Sequence, residues 1–144
     1  MKILACLLFL VIAPLKWETD FETAKKMAVE NHQLILLNFS GSDWCAPCIA
    51  TKKNYFESDA FNAMAKDHLV LLNADFPRKK KNQLSAKQTK KNEALADKYN
   101  KDGNFPLTLL LDANGKVLKS WKGKPEASVE QWVKEIEAVC DTHK

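Results

Sequence analysis

Two short apolar runs, Leu34 to Phe39 and Leu69 to Ala74, constrain this 144-residue chain most. Each is too brief for a buried helix and shows no polar alternation, so each predicts a strand buried on both faces. Helical patterns surround them. Thr19 and Glu22 form a capping-box pair ahead of Phe21, Ala24, Met27 and Ala28, predicting a helix that ends near Asn31. A second helix runs from Cys45 to about Phe56, and Ser58 or Asp59 caps a third piece carrying Phe61 and Met64.

Farther along, Asn92 to Tyr99 predicts a helix with Ala94, Leu95 and Tyr99 on one side, and Phe105-Pro106 leads into an apolar run, Leu107 to Leu111. Asp112-Ala113-Asn114-Gly115 is a turn signal, because Asn-Gly tolerates the positive backbone angles of tight hairpins. Val117 to Trp121 then pairs back antiparallel. The last helix starts near Ser128, with Gln131 as capping partner, and buries Val129, Trp132, Val133, Ile136 and Val139. Strands alternating with helices, closed by a hairpin and a helix, predict an α/β sandwich with a mixed sheet. A chain of this length fits one domain that buries about two thirds of its unfolded surface without a disulfide staple. With 46% hydrophobic and 28% charged residues, the composition is that of an ordered globular domain.

The first 16 residues read differently. Lys2 precedes an apolar run from Ile3 to Ala13, followed by Pro14. That run falls short of the roughly 18 to 20 residues needed to span a bilayer but fits the core of an export signal. Residues 1–16 are therefore predicted to be a signal peptide and 17–144 the folded domain, exported to the periplasm or cell envelope if the source is bacterial. Membrane contact would come only through this segment if uncleaved. Val11-Ile12-Ala13 offers small residues for cleavage, although Pro14 directly after them is unfavourable. Cys6 is lost or inert in this reading. Cys45, Cys48 and Cys140 remain, an odd number that excludes a framework of disulfides. Cys140, near the end of the last helix, reads as a small buried hydrophobe.

Trp44-Cys45-Ala46-Pro47-Cys48 carries the chemistry. Two thiols three positions apart at a helix start can form and break a disulfide reversibly. Unpaired N–H groups and the positive end of the helix dipole favour thiolate at Cys45. A thiol of pKa about 8.5 is only about 3% ionised at pH 7, so a shift of one or two units multiplies the reactive fraction more than tenfold. Cys45 would attack a partner's disulfide, and Cys48, one turn on, would resolve the mixed disulfide. Pro47 is tolerated in the first turn, where its missing N–H costs nothing. Trp44 and Pro47 would form an apolar rim around the pair. The same spacing supplies half of many zinc sites, but no second pair exists and His32, His68 and His143 are scattered. No metal and no cofactor are expected.

Trp-Cys-Ala-Pro-Cys after a buried strand, Phe105-Pro106 opening a later one and Asp112 to Gly115 closing a hairpin resemble the thioredoxin superfamily from about Trp17 to Val139. The lead-in from Asn38 to Trp44 looks most like exported thioredoxin-like proteins and the soluble domains of disulfide-interchange proteins. The resemblance implies a three-layer sandwich, a cis bond before Pro106, packing of Pro106 against the cysteines, and substrate binding by Ala46 and the backbone of Phe105. It also exposes departures. Asn38 stands where thioredoxins carry a buried aspartate that moves protons for the deeper thiol, and Leu71 stands near the place of their usual lysine. Asp43 reads as a solvated loop residue.

Arg78, Lys79, Lys80, Lys81, Lys87, Lys90 and Lys91 form a basic stretch near 78–91 without an acidic residue, resembling an insertion. A solvated loop is one reading, and a contact with an acidic partner or anionic membrane the other. No nucleic-acid motif accompanies it. The function expected is thiol-disulfide exchange with protein substrates, as reductase or isomerase, fed by an upstream electron donor or acceptor. The alternative is a redox-switched protein-binding module using the thioredoxin-like groove.

Overall fold

The computed structural model describes residues 14–143. The export segment predicted over residues 1–16, and with it Cys6, therefore lies almost wholly outside the described residues. Five strands form one sheet in the order β1 (Trp17–Glu18), β3 (Leu69–Asp75), β2 (Leu34–Ser40), β4 (Leu107–Leu111) and β5 (Val117–Lys122). β3 runs parallel to β1 and β2, whereas β2–β4 and β4–β5 are antiparallel, so the sheet is mixed as expected.

Every residue of β2 is buried, and the reason is that both faces are covered. Leu34, Leu36, Leu71 and Leu110 pack on one side with α3 (Asp59–His68) and α5 (Val129–Thr142), where Trp132 is fully enclosed. Ile35, Leu37, Phe39, Leu72 and Leu109 pack on the other with α1 (Phe21–Asn31) and α4 (Ala86–Tyr99). The result is the three-layer sandwich. α5 starts from the foreseen capping box, Ser128 with Gln131. It buries Trp132, Val133, Ile136 and Cys140, while Val129 and Val139 sit at the margin of that core.

Three local expectations change. α1 is capped by Asp20 rather than Thr19: the Asp20 carboxylate accepts the Thr23 N–H at 2.8 Å, and Glu22 pairs instead with Lys25. Asp20 sits one residue nearer and offers a charged acceptor at the positive helix end. α4 begins at Ala86, six residues before Asn92, because the Ser85 hydroxyl caps it through the Gln88 N–H at 3.1 Å. Lysines are good helix formers, so an apolar period alone placed that start too late. Lys87, Lys90 and Lys91 thus belong to a helix, and Lys91 forms an ion pair with Asp20 at the start of α1. In the hairpin only Gly115 takes a positive φ, 87°. The Asp112 carboxylate accepts the N–H groups of Asn114 and Lys116, each at 2.9 Å, which steadies the turn.

Candidate active site

β2 delivers its C-terminal end to a tight connection, Gly41 to Trp44, which leads directly into α2 (Ala46–Thr51). The C=O of Gly41 accepts the N–H of Trp44 at 3.3 Å and of Cys45 at 2.9 Å, turning the chain through this loop. Cys45 is the N-cap of α2 and its sulfur accepts the N–H of Cys48 at 3.3 Å. A π-helical turn, Lys52–Phe56, continues the same helix and aims Tyr55 and Phe56 into the core. That anchor fixes the cysteine end from below.

Cys45 and Cys48 are joined in a disulfide, with Cα atoms 5.2 Å apart. The two residues are 5% and 4% exposed, so depth does not separate them in this oxidised form. Their surroundings do. The Cys48 sulfur receives the backbone N–H of Gly41 at 3.5 Å from the end of the strand, whereas Ala46 and Pro47, next to Cys45, are exposed. Ile49 follows them on the surface at 49% exposure.

The Phe105–Pro106 bond is cis, as the resemblance implied. The Pro106 carbonyl is taken by the Gly123 N–H at 2.8 Å, and β4 begins only at Leu107, which leaves Phe105 outside the ladder. Phe105 packs edge-on against Trp44, ring centroids 5.4 Å apart, and against Phe76 at 5.5 Å. Trp44 in turn donates from Nε1 to the Phe76 carbonyl at 2.7 Å. The rim is therefore a three-ring cluster, and Phe76 belongs to it although no motif singled it out; its place just beyond β3 was the available signal.

A thioredoxin-like domain model matches residues 21–139 of this sequence. The chain belongs to the thioredoxin-like family. Among its relatives is the disulfide bond reductase DsbH of Chlamydia pneumoniae, 38% identical over 106 residues. That alignment takes in 74% of this chain and 61% of DsbH, so the chain spans about three fifths of the relative's length. The thioredoxin-related protein DsbJ of the same organism is 28% identical over 95 residues, 66% of this chain and 26% of DsbJ. Among solved structures, a DsbH oxidoreductase superposes with a TM-score of 0.80 at 32% identity, covering 90% of this chain and 86% of its own. A thioredoxin from Thermus thermophilus reaches 0.69 at 14% identity, with 91% of each chain covered, a likeness of fold.

Within this thioredoxin-like frame the departure at Asn38 acquires a partner. Asn38 sits opposite Asn73 in the β2–β3 register, not Leu71, which pairs with Leu36. Leu71 packs in the apolar core, and Asn73 is the residue of β3 that lies beside Asn38. Asn38 donates from Nδ2 to Asn73 Oδ1 at 3.0 Å and accepts the Thr108 hydroxyl at 3.3 Å, a neutral network that is buried at Thr108 and half-buried at Asn73. Both asparagines line a cleft of about 640 Å³ with Ser40, Lys52, Glu57 and Asp75. Pro14, Leu15, Trp17 and Phe56 complete its walls, so the cleft is mixed in character.

Asp43 is also revised. Its carboxylate accepts the N–H groups of Arg78 and Lys79 and the Nδ2 of Asn82, all at 2.9 Å. The Arg78 N–H first, then the Asn82 amide, hold its pKa below the usual carboxylate value. Rather than a solvated loop residue, Asp43 clamps the basic segment to the loop that carries the cysteines. The Arg78 guanidinium then lies over the Trp44 ring, 3.7 Å from its centroid.

The histidines scattered in sequence meet at the opposite end of the molecule. His32, His68 and His143 line one cleft with Leu34, at the start of β2, and the buried Cys140. Among the described residues no group of three or more His, Cys, Asp or Glu is arranged to hold a metal ion.

Proposed function

We propose that the chain is an exported thiol-disulfide oxidoreductase that reduces or isomerises protein disulfides. The observation that carries this reading is the Cys45–Cys48 disulfide at a helix N-terminus beside the Trp44–Phe105 rim. Likeness to a relative named a disulfide bond reductase supports the reducing direction.

In the reduced protein Cys45, at the helix start, is the attacking thiolate. It bonds to one sulfur of the substrate disulfide and expels the other as a thiolate. Cys48 then attacks the Cys45 sulfur, re-forming the intramolecular disulfide and releasing the second substrate thiol. Two electrons pass to the substrate, and an external dithiol donor restores the pair. Trp44, Ala46, Pro47, Phe105 and Pro106 receive the substrate chain: the first three frame Cys45, and the last two close the far side of the rim. Asn38 cannot take a proton, so water or one of the carboxylates lining the cleft behind the strand, Glu57, Asp59 or Asp75, takes the proton of Cys48.

Insulin-disulfide reduction driven by dithiothreitol tests the reaction, and a wild-type rate no higher than that of Cys45→Ser would defeat it. A Cys48→Ser variant is expected to accumulate mixed disulfides with several clients. Failure to trap any, with client binding that survives loss of both thiols, favours the binding-module alternative. Residues 1–16 are proposed to direct export, which N-terminal sequencing of the secreted protein checks. Among the described residues no helix is long and apolar enough to cross a membrane.

A further inference from the structure

The basic segment reaches the active site as a fixed structure. Lys80–Asn82 form a single 3₁₀ turn, the Asn82 N–H donates to the Lys79 carbonyl at 2.9 Å, and Gln83 Nε2 donates to the Pro77 carbonyl at 3.1 Å. Asp43 holds the near end and the Trp44–Phe76 bond holds the strand just before it. Four consecutive cations, Arg78 to Lys81, are exposed there. None of them enters an ion pair among the described residues.

Asp43 at the base of this ridge offsets part of its charge, chiefly at Lys79, but among the described residues no carboxylate forms an ion pair with the Arg78 guanidinium or with Lys80 and Lys81. Asp43 is spent on backbone and amide N–H groups, and Asp75 on the Ser42 N–H, Ser42 hydroxyl and Phe76 N–H. Stacking on Trp44 orients the guanidinium and leaves its N–H edge available, the arrangement in which arginine recognises a carboxylate. Trp44 adjoins Cys45, so a chain lying on the aromatic rim passes the guanidinium.

We propose that Arg78, backed by Lys79, Lys80 and Lys81, selects extended substrate segments whose reactive cysteine is flanked by aspartate or glutamate. The proposal rests on the exchange reading above and adds the substrate class. Arg78 is the specificity-determining residue, and the lysines add attraction that salt screens.

Three short peptides, identical except for acidic, neutral or basic residues around a central position, provide the test. Binding to a Cys45→Ser/Cys48→Ser variant, read by fluorescence anisotropy, measures the groove without exchange chemistry. The acidic peptide is expected to bind about tenfold more tightly than the neutral one, from several partly screened contacts. That margin should collapse toward about 1 M salt, where the Debye length is about 3 Å. Arg78→Glu should abolish the margin and Arg78→Lys keep part of it, while Lys134→Glu, on the exposed face of α5, should leave it intact. Equal binding of the three peptides, or a ranking that survives Arg78→Glu, overturns the proposal. So does binding confined to anionic lipid vesicles. Wild-type turnover of the same sequences as disulfides reads the other question separately: ranked binding with turnover no faster than Cys45→Ser refutes the exchange reading and leaves the groove's selectivity standing.

Discussion

Asn38 and Asn73 face each other across the parallel strands β2 and β3, with Asn38 Nδ2 donating to Asn73 Oδ1 at 3.0 Å. This neutral pair fills the place behind α2 where the thioredoxin resemblance led to an acid. Asn38 and Thr108 are buried, at 6% and 1% exposure, whereas Asn73 is half-buried at the cleft. Asn38→Leu would leave Asn73 Oδ1 and the Thr108 hydroxyl without this partner, at a cost of about 1–3 kcal/mol. Urea unfolding should show a lower midpoint at an unchanged slope; an unaltered midpoint would mean that water replaces the amide.

Gly41 has no room for a methyl group. A Cβ there would lie 2.3 Å from Trp44 Cε2, and Trp44 is held by the Phe76 carbonyl, the Phe105 ring and Arg78. Gly41→Ala is expected to displace the indole and cost about 1–3 kcal/mol. Insulin reduction should fall together with the melting temperature, and a variant that melts with the wild type would disprove the clash.

Asp43→Ala should release the basic segment without unfolding the domain, because the three hydrogen bonds it removes join two surface loops. Trypsin cleaves after Arg and Lys, so Arg78 to Lys81 should become the first nicking sites in the variant. Mass spectrometry of a short digest reads this directly. The folded-state pKa of Asp43 is lowered. The clamp is therefore complete above the ordinary carboxylate range and weakens as pH falls below it, so the segment in the wild-type protein should become more sensitive to an acid-active protease as pH falls below that range.

Asp20 links α1 to α4, and its pKa is lowered to about 2 from 3.8, chiefly by the Lys91 ammonium and then by the Thr23 N–H and hydroxyl. A lowered folded-state value means the unfolded chain binds the proton more readily. The stabilisation is thus present above about pH 4 and disappears as pH falls toward about 2. Both side chains are partly solvated, which limits the ion pair to about 1 kcal/mol. Asp20→Asn keeps the cap but not the charge, so its deficit in unfolding free energy at neutral pH should shrink as pH falls from about 4 through about 2.

Much of the fold could be read because its signals were local. Leu34 to Phe39 and Leu69 to Ala74 declared buried strands by composition, and Ser128 with Gln131 marked the start of α5. The two-residue strand β1, Trp17–Glu18, was not foreseen, since it gains its identity only by pairing with Leu71 and Leu72. Asp20 displaced Thr19 as a cap through geometry that spacing does not encode.

The sequence by itself determined the disulfide pair, its position at a helix start and the family to which the chain belongs, because three-residue spacing and helix capping are short-range properties. Only the tertiary structure decided the neighbours. It brought Asn73 to Asn38, Phe76 to Trp44 across 32 positions, and Arg78 onto the same ring by way of Asp43. Sheet register and loop closure set those contacts, and both are fixed by packing over the whole sandwich rather than by any stretch of chain.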